Sequence, residues 1–154
     1  MPQPGRRPLT FDSLDQVMPD VDQLLQGHTT IGNWSLGQIC NHLTTTLTWT
    51  VDGYPKLVPW FIRRTVGPLL LHRILKTGQF PEGIKLPGPY LPKAALNDRA
   101  EAEALRAALW HFASHSGRLS DHPLAGQVAR ADWERYHCIH CARHLSFVLP
   151  SVSF

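Results

Sequence analysis

The sequence predicts an all-α protein built as an antiparallel four-helix bundle, and three observations carry that reading. Apolar residues recur at spacings of three and four in four separate stretches. The period-two alternation that marks strands is nearly absent, and there is no internal repeat. Turn and capping residues bracket each stretch, with a long loop and short helices between the second and third bundle helices. A chain of 154 residues fits one domain, read here as residues 1–154, and it is long enough to bury a core.

Residues 1–9, rich in Pro and Arg, read as an irregular N-terminal arm. From Ser13 to Gln26, Leu14, Val17, Met18, Val21, Leu24 and Leu25 follow an amphipathic helical pattern. Ser13 with Gln16 forms an S-x-x-Q capping box, and Gly27 marks the end. Pro19 should kink or restart this helix. In the second helix Ser35 is the N-cap and Gln38 its reciprocal partner. Leu36, Ile39, Cys40, Leu43 and Leu47 form its apolar stripe, with His42 beside it. Thr44-Thr45-Thr46 has poor helix propensity, so packing must hold that turn. Asp52-Gly53 ends the element.

Pro59 to Lys76 reads as one or two short helices broken at Gly67-Pro68. The proline- and glycine-rich run from Phe80 to Pro92 is a long structured loop, either a site wall or a plain connector. Asp98 and Glu101 make a D-x-x-E cap for the third bundle helix, which passes through Leu105, Leu109 and Phe112 and ends near Ser116-Gly117. His122-Pro123-Leu124-Ala125-Gly126 is a turn. The last helix runs from about Arg130 to Val148, with Trp133, Tyr136, Ile139 and Leu145 as core candidates and Asp132, Glu134 and Arg135 as a solvated first turn.

Composition narrows the function. A formal charge of +3, with basic residues scattered or paired (Arg6-Arg7, Arg63-Arg64) and no basic stripe interleaved with aromatics, argues against nucleic acid as a partner. Arg63-Arg64 and His72-Arg73 interrupt the most apolar region, which argues against a membrane span. Three cysteines cannot all pair, and the first residues lack the apolar core of a signal peptide. A reduced, cytoplasmic protein is the expectation.

Chemistry concentrates in the last helix, where His137, Cys138, His140, Cys141 and His144 fall within eight residues. His140 and His144 lie one turn apart, rotated by only ~40° about the helix axis. Two imidazoles so placed can grip one metal ion, and the best third donor is His42. Three neutral imidazoles leave a coordination position open, which suits a catalytic rather than a structural site. His137 could extend that face as a ligand or proton shuttle, but packing at the bundle surface is the expected role. Cys138 and Cys141 read as buried small residues. Trp34, Trp49, Trp110 and Trp133 are assigned to the core, and Trp60 to a pocket wall. Asn41 and Gln38 flank His42, as orienting groups or as helix surface and cap. No carboxylate stands out as a general base.

The residues Asn33-Trp34-Ser35, Gln38-Ile39-Cys40-Asn41-His42-Leu43, His122-Pro123-Leu124-Ala125-Gly126, Trp133 and His140-x-x-x-His144-Leu145 occur in an order that resembles the DinB/YfiT-like superfamily. The resemblance is closest to one of its domain-of-unknown-function branches, and Arg7-Pro8-Leu9-Thr10-Phe11 and Asp52-Gly53 extend it along nearly the whole chain. It implies a four-helix bundle holding a divalent metal, often nickel or zinc, on three histidines, here His42, His140 and His144. It further implies chemistry of the kind found in thiol-dependent transferases and isomerases that use low-molecular-weight thiols. One position departs from the branch: where it often carries a second histidine just before the last ligand, this chain has Arg143.

Two functional readings follow. In the first, a divalent ion on the three histidines activates water or a thiol cosubstrate for transfer to a small-molecule substrate. In the second, the bundle is a non-catalytic metal- or ligand-binding module or a dimerisation domain, and its packing faces allow a homodimer. A surface-bound amphipathic protein using Leu69-Leu70-Leu71 with Arg63, Arg64 and Arg73 is a weaker third, since packing over the bundle explains the same residues.

Overall fold

Ser35 sets the start of α2 (Leu36–Asp52). Its hydroxyl accepts the Gln38 N–H at 3.1 Å, and the Gln38 side chain accepts the Ser35 N–H at 2.9 Å, the reciprocal cap that the S-x-x-Q pattern predicts. Leu36, Ile39, Cys40, Leu43 and Leu47 are all buried. Packing therefore holds the threonine run helical, helped by the Thr45 and Thr46 hydroxyls, which donate to carbonyls of the preceding turn. Gly53 ends the helix at φ 112°, a conformation open to glycine and costly for other residues. The computed structural model describes residues 5–83, 85 and 87–151; residues 1–4 of the predicted arm and residues 84 and 86 of the Phe80–Pro92 loop lie outside it.

The first amphipathic stretch divides into a 3₁₀ turn, Leu14–Gln16, and α1 (Val17–Leu24). Pro19 falls in the first turn of α1, where its missing N–H costs no helical bond. The Ser13 side chain makes no cap bond; instead the Asp12 N–H donates to Gln16 Oε1 at 2.7 Å. The next two helices, α3 (Trp60–Arg64) and α4 (Val66–Thr77), break at Thr65 and not at the predicted Gly67-Pro68. Pro68 is tolerated in the first turn of α4, and Gly67 is buried where a Cβ would overlap the Leu124 carbonyl oxygen.

The cap of α5 (Asp98–Ser114) is one residue earlier than the sequence implies. Asn97 Oδ1 accepts the Ala100 N–H at 2.9 Å, which frees the Asp98 carboxylate to accept the Gly37 N–H of α2 at 2.7 Å. Asn41 meets Glu101 at 3.1 Å and His111 meets Asp52 at 3.0 Å, so α2 and α5 run in the same direction. The long segment between them carries the chain back to a common starting level. Against α2, α6 (Arg130–Leu145) runs the opposite way, with His42 beside His140 and Thr50 beside His137.

The last helix stops at Leu145, short of the predicted Val148. Val148–Pro150 instead forms β2, paired antiparallel with β1 (His28–Thr30). Three-residue strands are too short to show a period in the sequence. The Arg7 guanidinium ties the arm down, with bonds of 2.7 and 2.6 Å to Asp20 and one of 2.7 Å to the Val148 carbonyl.

The core joins α1, α2, α5 and α6, with Val21, Leu43, Leu105, Phe112, Trp133 and Leu145 among its buried residues. The helical bundle read from the sequence is therefore present, but its consecutive bundle helices α2 and α5 run parallel where the sequence predicts an antiparallel arrangement. Trp110 is a correction: it is 72% exposed. The buried line of α5 passes through Ala102, Leu105, Ala108 and Phe112, and a residue two positions past Ala108 points ~200° away around the helix. On α4, Leu71 and Ile74 are buried while Leu69 faces solvent. Among the described residues, no helix is long and apolar enough to cross a membrane.

Candidate metal centre

His42, two turns into α2, and His140 and His144, one turn apart near the end of α6, bring one ring nitrogen each to within 4.8 Å of one another. Ring centroids are separated by 4.9 Å (His42–His140), 4.7 Å (His42–His144) and 4.8 Å (His140–His144), with the planes inclined at 67–85°. The first two residues are buried and His144 is partly exposed. Among the described residues this is the only convergence of three or more such donors.

Hydrogen bonding fixes which nitrogens face inward. His42 Nδ1 lies 2.8 Å from the Tyr90 carbonyl oxygen, to which it donates, so the lone pair of this ring is on Nε2. That Nε2 is 3.1 Å from His140 Nε2, while His140 Nδ1 is buried without a partner. Two nitrogens bound to one tetrahedral zinc at ~2.0–2.1 Å stand about 3.3 Å apart, close to the observed separation. Burial lowers the proton affinity of all three rings; for His140 and His144 the effect is large and is reinforced by the neighbouring imidazoles. They are thus held in the neutral form that a metal ion requires.

Aromatic groups enclose the cluster. Trp34 stacks on His144 at 5.5 Å and 13° and is tilted against His42 at 5.2 Å. Tyr136 lies over His140 at 5.9 Å, and Phe80 reaches the same ring at 5.6 Å. A cavity of about 310 Å³, lined by Gly32, Asn33, Trp34, Ile39, His144 and Phe147, opens beside the third histidine.

Residues 4–151 match the family described as "Protein of unknown function (DUF1569)". The chain belongs to the DUF1569 family. Comparison with curated proteins and with solved structures gives no match. The DUF1569 match takes in all three histidines together with Trp34, Phe80 and Tyr90.

Several residues of this DUF1569 protein stand elsewhere than the sequence implies. Trp34 packs partly buried against the core and is also a wall of the histidine cluster; its place directly before the Ser35 cap, about two turns ahead of His42, was the available signal. The Phe80–Pro92 loop is a wall too, through the Phe80 ring and the Tyr90 carbonyl. Trp60 is exposed against Phe61 and makes no ring contact with the histidines. His137 is fully buried, contrary to its expected surface position. The Thr50 hydroxyl donates to the Thr46 carbonyl and so accepts from His137 Nε2, 2.9 Å away. Trp133 stacks on the same ring at 5.4 Å, and burial pushes His137 down to about 3. His137 is not one of the converging donors.

Cys138 and Cys141 are buried free thiols, as the sequence implies. Burial pushes Cys138 up to about 11 and Cys141 higher still, and Cys40 in α2 up to about 12. Asn41 bonds Glu101, and Gln38 serves the α2 cap and reaches the Lys93 carbonyl at 3.1 Å, so neither orients His42. Asp132, Glu134 and Arg135 are exposed.

Proposed function

We propose that this DUF1569 protein is a DinB/YfiT-like metalloenzyme whose divalent ion, nickel or zinc, is held by His42, His140 and His144. The observation that carries the reading is the approach of the His42 and His140 Nε2 atoms to 3.1 Å inside a buried, neutral cluster. The His42 Nε2 lone pair faces the second ring nitrogen, so that both Nε2 atoms can turn toward one cation between them.

When bound, the ion supplies Lewis-acid activation of water or a low-molecular-weight thiol for transfer to a small organic electrophile. The chain's own residues do the remaining work. The Tyr90 carbonyl holds His42 in one tautomer, and Trp34 clamps the His144 ring while forming one wall of the adjoining cavity. Phe80 and Tyr136 keep water from His140. The three internal thiols are kept protonated by burial, so a reacting thiol has to arrive as a cosubstrate. The cavity beside His144 favours a catalytic site over the non-catalytic binding module, because it gives a small molecule room next to a ligand.

The test is metal content and stoichiometry of the purified protein, beside His144→Ala. About one nickel or zinc per chain, lost in the variant, is expected and opens a screen of thiol-transfer substrates. Absence of metal in the wild type, even after incubation with nickel and zinc, rules the metalloenzyme out.

A further inference from the structure

A groove of about 730 Å³ lies between the N-terminal arm, residues 78–82 and α6. Its charged lining is Arg6, Arg7, Arg135, Arg143 and Glu82. Arg7 is committed to Asp20, and Arg135 donates to the Leu75 carbonyl at 3.1 Å. Arg6 is fixed in place: Nε and Nη2 donate to Ser146 Oγ at 2.9 and 2.7 Å, and the guanidinium lies 4.5 Å over the Phe147 ring. Arg143 differs from all of these. It is half-buried, its guanidinium sits 5.9 Å over the Phe80 ring, and among the described residues it has no hydrogen-bond acceptor.

Two guanidinium groups therefore share one groove, with the Glu82 carboxylate also on its lining. Holding like charges together in a half-buried setting is unfavourable, and an oxyanion placed between them relieves it. The Phe80 ring touches both Arg143 and the ligand His140, so the groove adjoins the metal centre along that ring. Leu9, Phe80 and Ile139 provide apolar wall beside the charges.

We infer that this groove binds the oxyanion, carboxylate or phosphate, of a small organic substrate, with Arg143 as the principal contact and Arg6 as the second. The hydrocarbon part of that substrate lies along Leu9, Phe80 and Ile139. The inference rests on the metalloenzyme reading for what happens to the bound molecule, and on the groove alone for its binding.

Calorimetric titration of metal-free protein with phenylacetate, phenyl phosphate and neutral 2-phenylethanol tests it. At least one anion is expected to bind tenfold or more tighter than the alcohol, and the stronger of the two identifies the headgroup. Arg143→Gln is expected to lose that tenfold preference with an unchanged melting temperature, and His144→Ala to keep it. Raising salt from about 0.05 to about 0.5 M should weaken anion binding several-fold in the wild type, a reading that needs no variant. Equal binding of anion and alcohol, no salt effect, or full anion binding by a folded Arg143→Gln overturns the proposal. Anion binding without metal uptake would end the metalloenzyme reading alone, and metal uptake without anion binding would end this one alone.

Discussion

His42 Nε2 and His140 Nε2 stand 3.1 Å apart although 98 positions separate the residues in the chain. They meet because α2 and α6 run antiparallel, each presenting a buried ring at the same level of the bundle. Replacing either residue by alanine removes one of three donors. His42→Ala and His140→Ala should each weaken nickel and zinc binding by at least about a hundredfold, measured by competition with a chromophoric chelator. Wild-type affinity in either variant would show that the rings do not share an ion.

Trp34 carries a second expectation through its stack on His144 at 5.5 Å. A ligand whose ring is held in one orientation loses less entropy on binding, and groups that orient ligands typically contribute 10–100-fold in affinity. Trp34→Ala should reduce metal affinity by about tenfold, with Trp34→Phe close to wild type. An alanine variant that binds as tightly as the wild type would make the stack incidental.

Acid should destabilise the metal-free protein early. Burial holds His122 down to about 4 and His137 to about 3, against ~6.5 for an ordinary histidine in the unfolded chain. Below pH ~6.5 the unfolded chain takes up protons that the folded chain refuses, so stability falls with pH until the folded values are reached. His122 alone accounts for on the order of 3 kcal/mol by pH 4, a large part of a typical domain's total. Urea midpoints measured in chelator at pH 7.5, 6 and 5 should decline steadily, with a shallower decline in His137→Gln. A flat profile over that range would contradict the burial of these rings.

Gly37 is a packing prediction. A Cβ at this position would lie 2.9 Å from Asp98 Oδ1 and 3.2 Å from the Asp98 backbone, where α2 and α5 begin side by side. Gly37→Ala must push the two helix starts apart and weaken the 2.7 Å bond from the Gly37 N–H to Asp98. The expected cost is about 1–3 kcal/mol, or several degrees in melting temperature. Gly88→Ala, with nothing within 4 Å, is the silent control. Equal melting temperatures for the two variants would mean that the helices can separate freely.

Much of this protein was legible locally. The Ser35 and Gln38 cap, the buried stripe of α2 and the pairing of His140 with His144 all depend on spacings that the α-helix itself imposes. The choice of His42 as third donor was open to sequence reasoning as well, because it sits beside an apolar stripe that has to face the core. Less could be read in α6, whose buried face carries imidazoles and thiols in place of aliphatic residues, so its periodicity is weak and the depth of His137 was hidden.

The sequence by itself determined which stretches are helical in the bundle and which histidines share a helix face, but not the break at Thr65 or the end of α6 at Leu145. Tertiary structure alone decided that α2 and α5 run in the same direction, that Trp34 lies on His144 while Trp110 faces solvent, and that the Tyr90 carbonyl selects the His42 tautomer. The reason is one of range. Helix geometry relates residues three and four positions apart, whereas the rotation of a helix against its neighbours, and the loop carbonyl that reaches a given ring, depend on contacts between segments dozens of residues apart.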